Sequence, residues 1–111
     1  MYDITVSELE RDIRHSKDQI ALDNALQRLL TNTDFQEVIV KGLFEREAIR
    51  LVGLKADPSQ QSQDKQAQIL RDIDGIGFLH TYLRTITQIA DIARKNLPEQ
   101  LAALDDEDAG V

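Results

Sequence analysis

Cysteine and tryptophan are both absent from this chain of 111 residues, and only two prolines interrupt it. Without cysteine there is no disulfide framework, no thiolate metal ligand and no cysteine nucleophile, and the composition fits a reducing compartment. Three Phe and two Tyr are the only aromatics, so the core falls to Leu, Ile, Val and Ala. Aliphatic cores of this size suit helix-on-helix packing, often completed by oligomerisation. Apolar runs are as short as Val38-Ile39-Val40, far below the roughly 20 residues a membrane span needs. Met1-Tyr2-Asp3-Ile4 does not begin a basic stretch followed by an apolar run. No secretory signal is therefore expected, and the chain reads as soluble and not secreted.

Basic charge is scarce at one end only. The formal net charge is −7, and Glu99, Asp105, Asp106, Glu107 and Asp108 supply five of those charges with no basic residue after Lys95. Residues 1–95 carry 13 basic and 15 acidic side chains, so the body is nearly neutral. No basic patch stands out to bind nucleic acid, and acidic charge is not spread over a folded face as a DNA mimic requires. The run Asp105, Asp106, Glu107 and Asp108 reads either as a solvated tail or as a docking element for a basic surface. Consecutive carboxylates without a shaped loop make a poor cation site.

What is present is helical periodicity. Apolar residues recur at steps of three and four, which predicts an all-α fold, a small bundle of three to four helices. Helices are expected at about 8–30, 35–54, 66–95 and 98–104, in a single domain over 1–104 followed by an acidic tail at 105–111. Ser7 with Glu10, Ser16 with Gln19, and Asp34 with Glu37 have capping-box spacing. The stripe changes from Leu9, Ile13 and Ile20 to Leu22, Leu26, Leu29 and Leu30, which suggests a bend in the first helix. From Phe35 to Leu54 the apolar arc is wide, marking a central helix with neighbours on two sides. Asp57-Pro58 ends it, because the residue before proline disfavours the helical region. The glutamine-rich stretch 59–68 is either a connector or the polar first turn of the next helix.

That next helix carries Ile69, Ile73, Ile76, Leu79, Leu83, Ile86 and Ala90 on one face, and is interrupted by Gly75 and Gly77. A glycine inside a helix costs about 1 kcal/mol relative to alanine, so a break, a kink or a crossing point is expected there. The whole set, glycines included, is the candidate interface with another subunit.

Candidates for chemistry do not assemble. His15 and His80 lack helical ligand partners for zinc, and His80 at the edge of the stripe reads as a partly buried, hydrogen-bonded histidine. Asp72 and Asp74 converge only if the glycines break the helix. Gly75-Ile76-Gly77 has no third glycine and no preceding strand, so it is not a phosphate loop. No serine sits in a nucleophile elbow. No catalytic residue, cofactor or metal site is therefore assigned, and a non-enzymatic role is expected.

Two stretches carry a family resemblance. One runs Asp34-Phe35, Val38-Ile39, Gly42, Phe44, Glu47-Ala48, Arg50-Leu51-Val52, Leu54 and Ala56-Asp57-Pro58. The other is Ile69 to Gly77 with Leu79 and Tyr82-Leu83. Together they resemble small, acidic, all-helical proteins of tailed bacteriophages associated with virion structure and assembly. The resemblance covers about half the chain and contains no catalytic motif. It implies self-association or docking onto capsid, portal or tail components, in the virion or the host cytoplasm, with no direct contact to nucleic acid or membrane. The competing expectation is a small acidic regulator that uses its tail to occupy a basic surface of a nucleic-acid enzyme.

Overall fold

The chain is seen here as a computed structural model that describes residues 5–109, with the backbone alone described for 108 and 109. Among the described residues there is no strand, and the fold is all-α. Helix α1 spans Val6–Leu30 without a bend. Its N-terminus is closed by Thr5, not Ser7: the Glu8 amide donates to Thr5 Oγ1 at 3.1 Å and the Thr5 amide to Glu8 Oε2 at 3.3 Å. This reciprocal box satisfies two donors that a helix start otherwise leaves unpaired. Of the two readings its spacing with Gln19 allows, a restart of the helix or a passive place inside it, Ser16 takes the second and is buried mid-helix. The stripe expected to change face instead continues through polar members. Leu9, Ser16 and Asp23 recur every seven residues and, with Ile13 and Leu26, form the buried face.

After α1, Asn32 starts the central helix by accepting the Phe35 amide on Oδ1 at 2.9 Å, a role the sequence spacing assigns to Asp34. The central helix has three consecutive parts: α2 (Thr33–Phe35), a π-helical segment (Gln36–Glu47) and α3 (Ala48–Ala56). Twelve residues of i→i+5 winding are long for a conformation that usually occurs as a single turn. Half-buried residues fall at Phe35–Gln36, Ile39–Val40, Gly42–Phe44 and Glu47–Ala48, about every four positions. The wider winding shows in a side-chain contact.

An ion pair corroborates it. Arg46 Nη2 donates to Glu37 Oε1 at 2.7 Å and to the Glu37 carbonyl at 3.0 Å, across nine residues. On an α-helix that separation is two and a half turns, placing the two side chains on opposite faces roughly 13 Å apart. The i→i+5 winding brings them onto one side, about two turns apart. The Arg46 hydrogen bond and charge hold the Glu37 carboxyl below the usual carboxylate range, and Lys41 at 4.0 Å adds to this.

The connector to the next helix is short and well bonded. Asp57 is extended, as a residue before proline prefers, and Pro58 opens a 3₁₀ turn, Pro58–Gln60. Asp57 Oδ1 accepts from the Ser59 amide and hydroxyl at 2.8 Å each, which lowers its pKa. The glutamines do specific work here. Gln61 Nε2 donates to the carbonyls of Lys55 (3.0 Å) and Asp57 (2.7 Å), and Gln66 Nε2 to those of Lys55 (3.1 Å) and Gln60 (2.7 Å). These amides satisfy acceptors that the end of α3 leaves open.

Helix α4 then runs Gln63–Ala109, 47 residues, passing Gly75, Gly77 and Pro98 without a break. The separate helices expected at 66–95 and 98–104 are one. The acidic residues 105–108 and Ala109 extend it instead of forming a tail, while 110–111 lie outside the described residues. Proline inside a helix costs about 3 kcal/mol. Half-buried Leu97, Gln100 and Leu104 keep the packing face going on either side of it. Gly75 and Gly77 are not close-approach points within the chain either, since a Cβ at either position meets nothing within 4 Å.

The single domain expected over 1–104 divides into two compact units. In the unit of residues 27–84, the central helix lies antiparallel to the first part of α4. Gln66 bonds Lys55, and the Phe44 ring meets His80 edge-to-face at 5.1 Å. The other unit joins the α1 residues up to Leu26 with the α4 residues from Thr85. It too is antiparallel, because Ser16 Oγ donates to Gln100 Oε1 at 2.9 Å while Asp23 bonds Thr87 and Arg94.

Replacing Gly75 and Gly77 by Ala is expected to stabilise α4 by up to about 1 kcal/mol each, raising Tm by several degrees in thermal unfolding. Gly42→Ala is expected to bring no such gain. Its Cβ would lie 3.0 Å from the Glu37 carbonyl oxygen, inside the π-helical turn.

Candidate interaction surface

The apolar stripe of α4 is first of all this chain's own packing surface. Ile69 and Ala90 are buried within the chain, at 5% and 0% exposure, so neither is available to another subunit. Ile73, Ile76, Leu79, Leu83 and Ile86 are half-buried, and Gly75 and Gly77 are exposed. The reason is that both halves of α4 already have an antiparallel partner within their own unit. Gly75 and Ile76 border an open cleft of about 360 Å³ whose far side is formed by Leu43, Glu47 and Leu51. His80, expected to be partly buried and hydrogen-bonded, is exposed and covers the edge of Phe44.

The outward apolar surface lies elsewhere. On the central helix, Ile49 is 72% exposed and Val38 and Val52 are each 64% exposed. Phe44, Glu45, Ala48, Ile49 and Val52 line an open groove of about 400 Å³. In the same unit Phe78 of α4 is 74% exposed. The expectation that apolar residues on two sides of the central helix find neighbours on both holds for one side only. Leu51 is fully buried, while Ile49 and Val52 face away.

The unit of α1 and the second part of α4 is organised around charge. Asp23 is 1% exposed, and its carboxylate accepts from Thr87 Oγ1 at 2.6 Å and from Arg94 Nη2 at 2.7 Å. Arg94 also reaches Asn24 Oδ1 at 3.1 Å and Asp91 Oδ1 at 2.9 Å. The hydrogen bond to Asp23 raises the Arg94 pKa most, with a further contribution from Asp91. A charge that is buried and hydrogen-bonded fixes which residues face each other, because any slip leaves it unpaired. The sequence marks Ser16 only for its spacing with Gln19 and leaves Asp23 aside, and it assigns neither to the buried face because both are polar. Their signal is the seven-residue step from Leu9. A smaller groove of about 200 Å³ beside Ser16 is lined by Asp12, His15, Gln19, Ile89, Ile92 and Gln100 among others.

Charge is divided between the units. Residues 27–84 carry eight basic and eight acidic side chains, whereas residues 1–26 and 85–111 carry five and twelve. The net −7 thus belongs to one unit, and the other is neutral. Asp105, Asp106 and Glu107 are exposed on the last turns of α4, where successive helical positions fan out around the axis. The side chain of Asp108 lies outside the described residues. Among those residues no group of three or more His, Asp or Glu is placed to hold a metal ion. No helix among them is long and apolar enough to cross a membrane. Comparison with family models, curated proteins and solved structures returns no match.

Truncating Arg94 to Ala is expected to lower the urea midpoint, by less than the loss of a fully buried pair would, because Arg94 is itself 37% exposed and water can partly replace it. Adding Asp23→Leu to Arg94→Ala should recover much of the loss in urea unfolding, since the unpaired buried carboxylate is then gone. In the other unit, the lowered Glu37 pKa means its pair with Arg46 contributes fully above the ordinary carboxylate value. That contribution fades as pH falls through the lowered value. Amide protection over 36–47, taken relative to the intrinsic exchange rate at each pH, should fall on acidification in the wild type, and Glu37→Gln should remove that change in protection.

Proposed function

We propose that this chain is a non-enzymatic helical interaction protein, a structural or assembly component of a tailed-phage virion. In this reading it self-associates or docks on capsid, portal or tail proteins, in the virion or the host cytoplasm, and calls on no cofactor. The observation that carries it is the largely apolar groove of the central helix, lined by Phe44, Glu45, Ala48, Ile49 and Val52, where Ile49 and Val52 stand exposed. An exposed apolar patch on so small a helical unit supports contact with another protein. The phage assignment rests on the resemblance of the 34–58 and 69–83 stretches. A second reading, a small acidic regulator of a nucleic-acid enzyme, is favoured by the concentration of the net −7 on one unit.

Absolute mass by light scattering separates the two. A discrete oligomer of unchanged mass at low and moderate salt, insensitive to deletion of residues 105–111, is the expected result. A monomer whose capture of a basic partner disappears with that deletion would instead establish the regulator.

A further inference from the structure

Glu37 has two cations within reach, and each belongs to a different winding of the same stretch of chain. Its carboxylate accepts from Arg46 Nη2 at 2.7 Å on one oxygen, while Lys41 Nζ stands 4.0 Å from the other. The pair with Arg46, nine residues on, is one that only wide turns make. The pair with Lys41 is the i,i+4 arrangement that supports an α-helix. We propose that Gln36–Glu47 is a two-state segment, π-helical while Arg46 holds Glu37 and α-helical when Lys41 takes Glu37 over.

Gly42 and Arg46 act on the same atom. A Cβ at Gly42 would lie 3.0 Å from the Glu37 carbonyl oxygen, five residues back, so the wide turn is tight for any side chain there. Arg46 Nη2 donates to that oxygen at 3.0 Å. An α-helix has the opposite preference at Gly42, because alanine is its best former and glycine among its worst. Both side chains of the Glu37–Arg46 clasp are exposed, so a charge on another molecule can reach it. A carboxylate offered to Arg46 from outside frees Glu37 for Lys41. π-helical turns within α-helices occur often at functional sites, and this one carries its own release.

The output is the placing of apolar side chains. Val38 and Ile49 are both largely exposed and lie eleven residues apart. Two wide turns and a two-residue α-helical step leave them on opposite sides of the helix. Eleven residues make about three α-helical turns, so α winding brings them onto one stripe, with Val52 beside Ile49 and Glu45 between. Val40 and Leu51 are eleven apart as well, so α winding also aligns Val40 with the side that Leu51 buries. Both windings therefore leave Leu51 a packed face. They differ in whether the outward apolar residues are divided or gathered.

The test is NMR on the full isotope-labelled chain, reading couplings across hydrogen bonds, which identify the carbonyl that each amide bonds. In the wild type, amides of the segment should couple to carbonyls five residues back. Gly42→Ala should shift the partner to four residues back, with helicity by circular dichroism unchanged. Arg46→Ala should shift it the same way, and adding Lys41→Ala to Arg46→Ala should reverse part of that shift. Gly53→Ala, where a Cβ meets nothing within 4 Å, should leave the winding as it is. Partners four residues back in the wild type overturn the proposal. So does a partner five residues back kept in both Gly42→Ala and Arg46→Ala. If Gly42→Ala unfolds the segment, Arg46→Ala decides alone, and unfolding there too overturns the α-helical state. A shift that Lys41→Ala leaves untouched overturns the part given to Lys41, and a shift in Gly53→Ala overturns local control by Gly42.

Discussion

Two helices can cover only one stripe of each other, and that constraint governs what is buried and what is not. In each unit a single antiparallel partner lies against part of α4, so the buried apolar set is small: Leu9, Ile13, Leu26, Leu51, Ile69, Ala90 and Ala93. Every further aliphatic side chain is left at the margin or outside. Burial of a Leu or Ile side chain is worth about 1.5–3 kcal/mol, so exposed Ile49 and Phe78 represent stabilisation not realised within the chain. The proposed association is where that stabilisation would be recovered.

Specificity within the pairs comes from different physics in each unit. The pair of α1 with the end of α4 is pinned by buried polar groups, Asp23 with Thr87 and Arg94, and Ser16 with Gln100. Alanines at positions 90 and 93, both fully buried, leave room for the neighbouring helix to approach. The pair of the central helix with the start of α4 relies on winding and on caps. Its π-helical segment sets which side chains face α4, and the glutamine amides close the turn that joins the two helices.

Much of the helical content was legible in the sequence, because periodicity of three and four is a strong and redundant signal. What was not legible follows from tertiary context overriding local cost. Gly75, Gly77 and Pro98 each argue for a break, yet the packing face of α4 continues past all three and the helix with it. Ser7 and Asp34 have the right spacing for caps, but Thr5 and Asn32, three residues from Glu8 and Phe35, do the capping. The apolar members of the predicted interface turned out to be buried or half-buried and Gly75 and Gly77 exposed, because a stripe read from one helix does not say whether its partner is internal. Ser16 and Asp23 were not assigned to the buried face for the converse reason, that a buried stripe need not be apolar throughout.

The π-helical segment has an evolutionary corollary. A turn closed by i→i+5 bonds holds one more residue than an α-helical turn, so Gln36–Glu47 stores surplus chain in little axial length. An α-helix cannot lose a residue without rotating everything beyond it by roughly 100°. Here a deletion could be absorbed by tightening one wide turn, leaving Leu51 and the Asp57-Pro58 turn in phase with α4. The segment is therefore the place where related chains can differ in length by a residue while keeping the same helical pairing.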